Sequence, residues 1–126
     1  MAIYGIGAYY QTDVSQDFIN NNLVGTGWSI NDAPEIHAYI RTLKVGDIVY
    51  IKSYSPSSPD IIVKGIGIIR DHIIISNSYV TCGRNVIWKN TEEIRVQKPS
   101  EKNNVRANTL YEEFHPDVQK FILNNI

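Results

Sequence analysis

Apolar and polar positions change rhythm twice along the chain, and the changes divide it into elements. Residues 2–10 are apolar and aromatic and stop at the polar Gln11-Thr12-Asp13, which predicts a buried first strand. Asp13 with Gln16 three residues on has the form of a capping box. Val14 and Phe18 then share one face of a short helix near 13–21 that ends in Asn20-Asn21-Asn22. Residues 23–28 return as a strand. Asp32-Ala33-Pro34-Glu35 is a stronger helix start, with an acid at the cap and proline in the first turn. Ile36, Tyr39, Ile40 and Leu43 come next at helical spacing, giving a helix over 33–43 that Val45-Gly46-Asp47 stops.

Beyond that point the period is that of β structure. Residues 48–53 read as a strand, 54–60 as a Pro/Ser/Asp hairpin loop and 61–70 as the partner, with further strands at 73–81, 85–90 and 94–97. Pro99 to Asn104 reads as an exposed connection. Thr109 with Glu112 repeats the capping box, which predicts a helix over 110–114. Pro116 opens a second helix carrying Val118, Phe121, Ile122 and Ile126 on one face. The expected fold is α+β and mostly β: a small curved antiparallel sheet or barrel with inserted short helices and two C-terminal helices. It forms one domain over 1–126, with a β core over 1–98 and a helical tail over 107–126. The apolar tail predicts a homo-oligomer, with Phe121 at the contact.

Composition narrows the partners. The 126 residues suffice for one real core, and 43% hydrophobic with 20% charged residues is ordinary globular usage. No apolar run reaches the length of a membrane span, and Met1-Ala2-Ile3-Tyr4 enters a strand without a basic region, so neither a membrane partner nor export is expected. The lone Cys82 has no internal disulfide partner, in keeping with a reducing cytoplasm, and reads as a small half-buried hydrophobe. A net charge of −1 weighs against duplex nucleic acid, whose binding rests on unbalanced Lys and Arg.

Catalytic patterns are weak. Gly5/Gly7, Gly25/Gly27 and Gly65/Gly67 lack the third glycine and the helix that a dinucleotide fingerprint needs, so they read as bends or close backbone approaches within strands. His37, His72 and His115 are too far apart for a zinc site, and His37 reads as a solvated residue at the edge of its helix face. Glu92-Glu93 and Glu112-Glu113 read as surface acids. No metal, cofactor or catalytic residue is expected. A polar and aromatic set suited to a flat heterocycle is more informative: Trp28, Arg84, Trp88, Asn90, Arg106, Asn108 and Thr109. Aromatic faces stack on bases, asparagine offers a donor and acceptor pair, and arginine forks onto phosphate. Arg106 precedes the Thr109 helix start, where an anion would be favoured, and stands as the leading contact.

Over residues 3–90 the succession Tyr4-Gly5-Ile6-Gly7-Ala8, Phe18-Ile19, Val24-Gly25-Thr26-Gly27-Trp28, Lys44-Val45-Gly46-Asp47-Ile48-Val49-Tyr50, Gly65-Ile66-Gly67-Ile68-Ile69 and Val86-Ile87-Trp88 resembles the EVE and PUA-like domains. The resemblance implies a small curved barrel holding a base-like ligand in an aromatic pocket, often a modified base in nucleic acid. More weakly, the β domain with its Arg- and Asn-rich approach to two short helices resembles the phage-encoded Thoeris anti-defence sponges. These sequester cyclic ADP-ribose signals without degrading them and assemble as oligomers. That resemblance would make Asn90 and Arg106 ligand contacts with Trp88 stacking beside them, and would place the protein in the cytoplasm of a bacterial or phage-infected host cell.

Together these readings favour a non-enzymatic protein that binds and sequesters a small nucleotide signal, with an EVE-like reader of modified bases as the alternative. Sequestration is within physical reach. About 36 non-hydrogen atoms at about 0.3 kcal/mol each give roughly 11 kcal/mol, near nanomolar.

Overall fold

The computed structural model describes residues 1–10, 12–53, 55, 57–100 and 108–126. Its strands are β1 (Ile3–Gly7), β2 (Tyr9–Tyr10), β3 (Thr12–Asp13), β4 (Leu23–Thr26), β5 (Ile48–Ser53), β6 (Asp60–Ile75), β7 (Cys82–Asn90), β8 (Ile94–Gln97) and β9 (Leu110–Glu112). Helices α1 (Ser15–Asn20), α2 (Pro34–Thr42) and α3 (Pro116–Asn124) complete the α+β fold. One curved, unclosed sheet of seven strands runs in the order β4-β7-β6-β5-β1-β9, with β8 paired to β6. All its pairs are antiparallel except β1 with β5, so the expected antiparallel sheet contains one parallel pair. β2 and β3 form a separate small hairpin.

The core lies on both faces of this sheet. Along β5, Val49 and Ile51 belong to an apolar cluster with Phe18 of α1 and Ile40 of α2, while Ile48 and Tyr50 belong to a second cluster with Val118 and Ile122 of α3. Alternate residues of one strand thus feed opposite faces, and β5 is buried on both, as befits a strand in the middle of a covered sheet. β9 obeys the same rule, with Leu110 on the first face and Tyr111 on the second. Val118 and Ile122 are fully buried, so the apolar stripe of the tail helix is used within the chain.

The structure revises four expectations. Residues 110–112 form a strand rather than the expected helix: Leu110, Tyr111 and Glu112 pair with Ile6, Gly5 and Tyr4 of β1, where three residues gain a ladder and two buried side chains that an isolated turn of helix would not provide. The tail therefore carries one helix, not two. Of the two strands expected at 61–70 and 73–81, residues 76–81 lie outside any strand, while 61–70 and 73–75 belong to the single long β6. Its pairing jumps from Ile69↔Val86 to Ile74↔Arg84, so residues 70–73 loop out of register. His37 is buried rather than solvated. Among the described residues, no helix is long and apolar enough to cross a membrane.

Arg84 is buried to 1% exposure, and its guanidinium closes the end of α2. Nη1 donates to the carbonyls of Ile40, at 3.1 Å, and Leu43, while Nη2 donates to that of Asp71, at 2.7 Å, in the out-of-register stretch of β6. Nε is buried with no hydrogen-bond partner among the described residues. A cation suits the negative end of a helix, and the planar fork reaches carbonyls from two elements at once. Arg84→Met keeps the stem but strands these buried acceptors. It should lower unfolding free energy by about 3 kcal/mol in urea titrations, the scale of lost charged hydrogen bonds. A loss under about 1 kcal/mol would show that α2 is held by its apolar face alone.

Candidate ligand-binding cleft

β1 and β5 run parallel, so both reach their carboxyl ends at the same edge of the fold, where Gly7 pairs with Lys52. In open sheets with parallel strands, ligand clefts form at such ends because the chain turns away there. Here a cleft of about 430 Å³ opens, lined by Gly7, Ala8, Tyr9, Asp13, Ser15, Ile51, Lys52, Ser53 and Lys64. Its volume falls within the range of small-molecule sites.

Two lysines reach it by different routes. Lys52 continues the alternation of Ile48 and Tyr50 on β5 and is 9% exposed, with Nζ 5.7 Å from the centre of the Tyr111 ring. Lys64 is the extra residue of a β-bulge: Ile51 pairs with Gly65 and Lys52 with Val63, leaving Lys64 unopposed. Bulges re-aim side chains, and this one brings Lys64 Nζ to 2.5 Å from Asp13 Oδ2. Asp13 Oδ1 also accepts from the Ser15 amide at 2.9 Å, but the cap position of α1 is Val14, with no side-chain cap hydrogen bond, and Gln16 donates to Asn20, so the expected Asp13/Gln16 capping box does not form. The Asp13–Lys64 pair separates the cleft from a neighbouring depression lined by Gln16, Ile19, Thr91 and Glu93.

Burial pushes the Lys52 ammonium down to about 8, because the charged form has lost its water. The ring face of Tyr111, 5.7 Å from Nζ, favours the charged form and so works in the opposite direction. Partial burial alone would raise the Asp13 carboxyl, but hydrogen bonds from Lys64 and Ser15 outweigh it and hold Asp13 at about 2. Behind Lys52, Tyr50 Oη lies 2.7 Å from Tyr111 Oη and donates to Glu113 Oε1 at 2.7 Å. Burial first, then the neighbouring Tyr111 and Glu113, raise the Tyr50 hydroxyl far above its usual range, so it stays a neutral donor.

Among the described residues, none of those singled out from the sequence lines this cleft. Arg84 is the buried fork that closes α2. Trp88 donates from Nε1 to the Phe18 carbonyl at 3.1 Å and lays its ring over Gly65 and Gly67, where a Cβ would come within 3.3 and 2.8 Å of it. That explains this Gly-x-Gly pair as a close approach. Asn90 donates to the Asn125 carbonyl at 2.7 Å and accepts from the Glu92 amide at 2.9 Å, tying β7 to the chain after α3. Asn108 and Thr109 line a different depression, of about 540 Å³, with Glu35, Ile36, Tyr39 and Leu110. Arg106 lies outside the described residues.

Trp28 is placed differently from Trp88. Its ring is 51% exposed and meets Tyr10 edge to face at 6.4 Å. Its backbone is clamped: the amide donates to Thr26 Oγ1 at 3.1 Å, and the carbonyl lies 2.7 Å from His37 Nε2 and accepts from Thr81 Oγ1. The buried His37 therefore serves to hold this turn. No protein-family model matches the chain, and no curated protein matches it.

Neither cleft lysine was singled out from the sequence, although both carry a signal. Lys52 ends an apolar run at a position whose alternation faces inward, and Lys64 breaks the run between Val63 and Gly65.

The shift at Lys52 has a stability consequence with a definite sign. Between pH 8 and 10.5 the unfolded chain, with its ordinary lysine near 10.5, binds more protons at this site than the folded one, so Lys52's contribution to stability rises with pH. Below pH 8 the cost of burying the ammonium is fully present. Wild type should therefore gain on Lys52→Met as pH rises from 8 to 10 in paired urea titrations. A pH-independent difference would show that Lys52 keeps an ordinary affinity for its proton.

Proposed function

We propose that the protein binds and sequesters a small nucleotide-like anion in the Lys52/Lys64 cleft and releases it chemically unaltered. The observation that carries this reading is the placement of two lysine side chains in one ligand-sized cleft on a chain of net charge −1. Phosphate or carboxylate oxygens would meet Lys64 on one wall and Lys52 on the floor, with the Ser15 and Ser53 hydroxyls as further partners. Tyr9, 71% exposed at the rim, offers a face to a ring. Occupancy alone would perform this function, as it does in the sponges that the chain weakly resembles.

A second reading, an EVE-like reader of bases in nucleic acid, is favoured by Trp28. A half-exposed indole on a backbone held at both amide and carbonyl is pre-organised for stacking, because little freedom is lost when a base covers it.

Calorimetry separates the two. The first reading expects cyclic ADP-ribose isomers or cyclic dinucleotides to bind, and Lys64→Gln to weaken binding by about tenfold to a hundredfold, the scale of one charged hydrogen bond. Trp28→Ala should have little effect, and chromatography of the released ligand should recover it intact. Preference for single-stranded or duplex oligonucleotides, lost in Trp28→Ala and kept in Lys64→Gln, would overturn it for the base reader.

A further inference from the structure

Resting on the cleft as a ligand site, we propose that Lys52 captures a carbonyl group covalently: an aldehyde or ketone bearing a phosphate or carboxylate enters the cleft and is held as an imine on Lys52 Nζ. The geometry has three parts. Lys52 lines the cleft floor while being only 9% exposed, so a molecule that enters the cleft meets its side chain. Its register partner on β1 is Gly7, where an added Cβ would sit at ordinary contact distance, 3.8 Å, from both Cε and Nζ, so the end of the Lys52 side chain lies against the Gly7 backbone at the cleft. Lys64 lines the same cleft, held by Asp13, and offers ammonium N–H donors for the anionic end of the ligand.

Burial supports the chemistry. With its ammonium lowered to about 8, Lys52 keeps a far larger uncharged fraction near neutral pH than an ordinary lysine near 10.5. Only the uncharged amine is a nucleophile, and desolvated lysines are the ones that form Schiff bases. In the step, the Nζ lone pair attacks the carbonyl carbon and the carbon–oxygen π pair moves to oxygen, which gains a proton as nitrogen loses one. The resulting carbinolamine expels that oxygen as water while nitrogen gives up its remaining proton, leaving a C=N bond. Amine and carbonyl become imine and one water, with nothing oxidised or reduced. Hydrolysis runs the same path backwards and returns the ligand unaltered, which suits capture rather than turnover.

The test uses the full chain, limiting pyridoxal 5′-phosphate as the probe, cyanoborohydride to reduce the imine, and peptide mass mapping at pH 7.5. Lys52 should carry at least tenfold more adduct than any of the exposed Lys44, Lys89 and Lys120. Lys52→Arg should lose that adduct while leaving the others unchanged. Labelling that tracks exposure, with Lys52 behind the surface lysines, overturns the proposal, and it does so on the wild-type protein whether or not the variant folds. Two further outcomes separate this idea from the reading beneath it. Equal labelling of Lys52 by pyridoxal without phosphate would overturn the anionic preference while carbonyl capture stands. Nucleotide binding in calorimetry with Lys52 unlabelled would overturn capture and leave anion binding standing.

Discussion

The guanidinium of Arg84 fixes where α2 ends, and the starts of two central strands depend on the position of that end. Its contacts to Ile40, Leu43 and Asp71 join the helix to the out-of-register stretch of β6. Immediately after the helix, Gly46, at φ +91°, turns the chain into Asp47. The Asp47 carboxylate accepts from the Lys44 amide at 2.8 Å and from the Ala2 amide at 3.1 Å, while the Asp47 carbonyl accepts from the Ile69 amide at 2.9 Å. One short segment thereby aligns the starts of β1 and β5 and docks β5 on β6. Because β1 and β5 are parallel, aligning their starts also aligns their ends, and the cleft lies at those ends.

A lysine at such a place is costly, and its surroundings show how the cost is limited. Lys52 comes after four buried residues of β5, yet it occupies the last inward position before the strand ends, where the cleft admits solvent. Its stem packs in the protein while its charge has a ring face nearby. Lys64 takes the opposite course. A bulge lifts it out of the ladder, and a carboxylate neutralises it at the surface. The same cleft thus presents one amine whose environment disfavours charge and one whose environment favours it.

Much of the fold was legible because periodicity reports burial. The β5 run and the Ile36/Ile40 stripe each folded as their spacing predicted, and Pro34 stands in the first turn of α2 as expected. The capping box at Thr109 misled because local chemistry competes with distant partners. Glu112 could cap a helix, but Leu110 and Tyr111 bury more against β1, a strand far away in the sequence. The heterocycle set was harder to read for a related reason. Arg84, Trp88 and Asn90 have the residue types of ligand contacts, but each spends its hydrogen bonds on backbone carbonyls or amides that only the folded chain brings near. Lys52 and Lys64 stayed hidden because pairing register decides which side chains meet at a strand end, and composition carries no register.

The placement of β1 between β5 and β9 constrains the order of assembly during synthesis. Ile3 and Tyr4 emerge first, but one neighbour of β1 is made some forty residues later and the other more than a hundred later. Until then β1 has two open edges and an uncovered apolar face. Structure nucleated earlier, in the β5–β6–β7 hairpins, would present a docking edge to an N-terminal strand waiting beside it. The buried hydroxyl contact between Tyr50 and Tyr111 joins strands made well apart in time, so it cannot form before β9 has been made. Lys52, which packs against that same Tyr111, would acquire its buried environment only as the final strand closes.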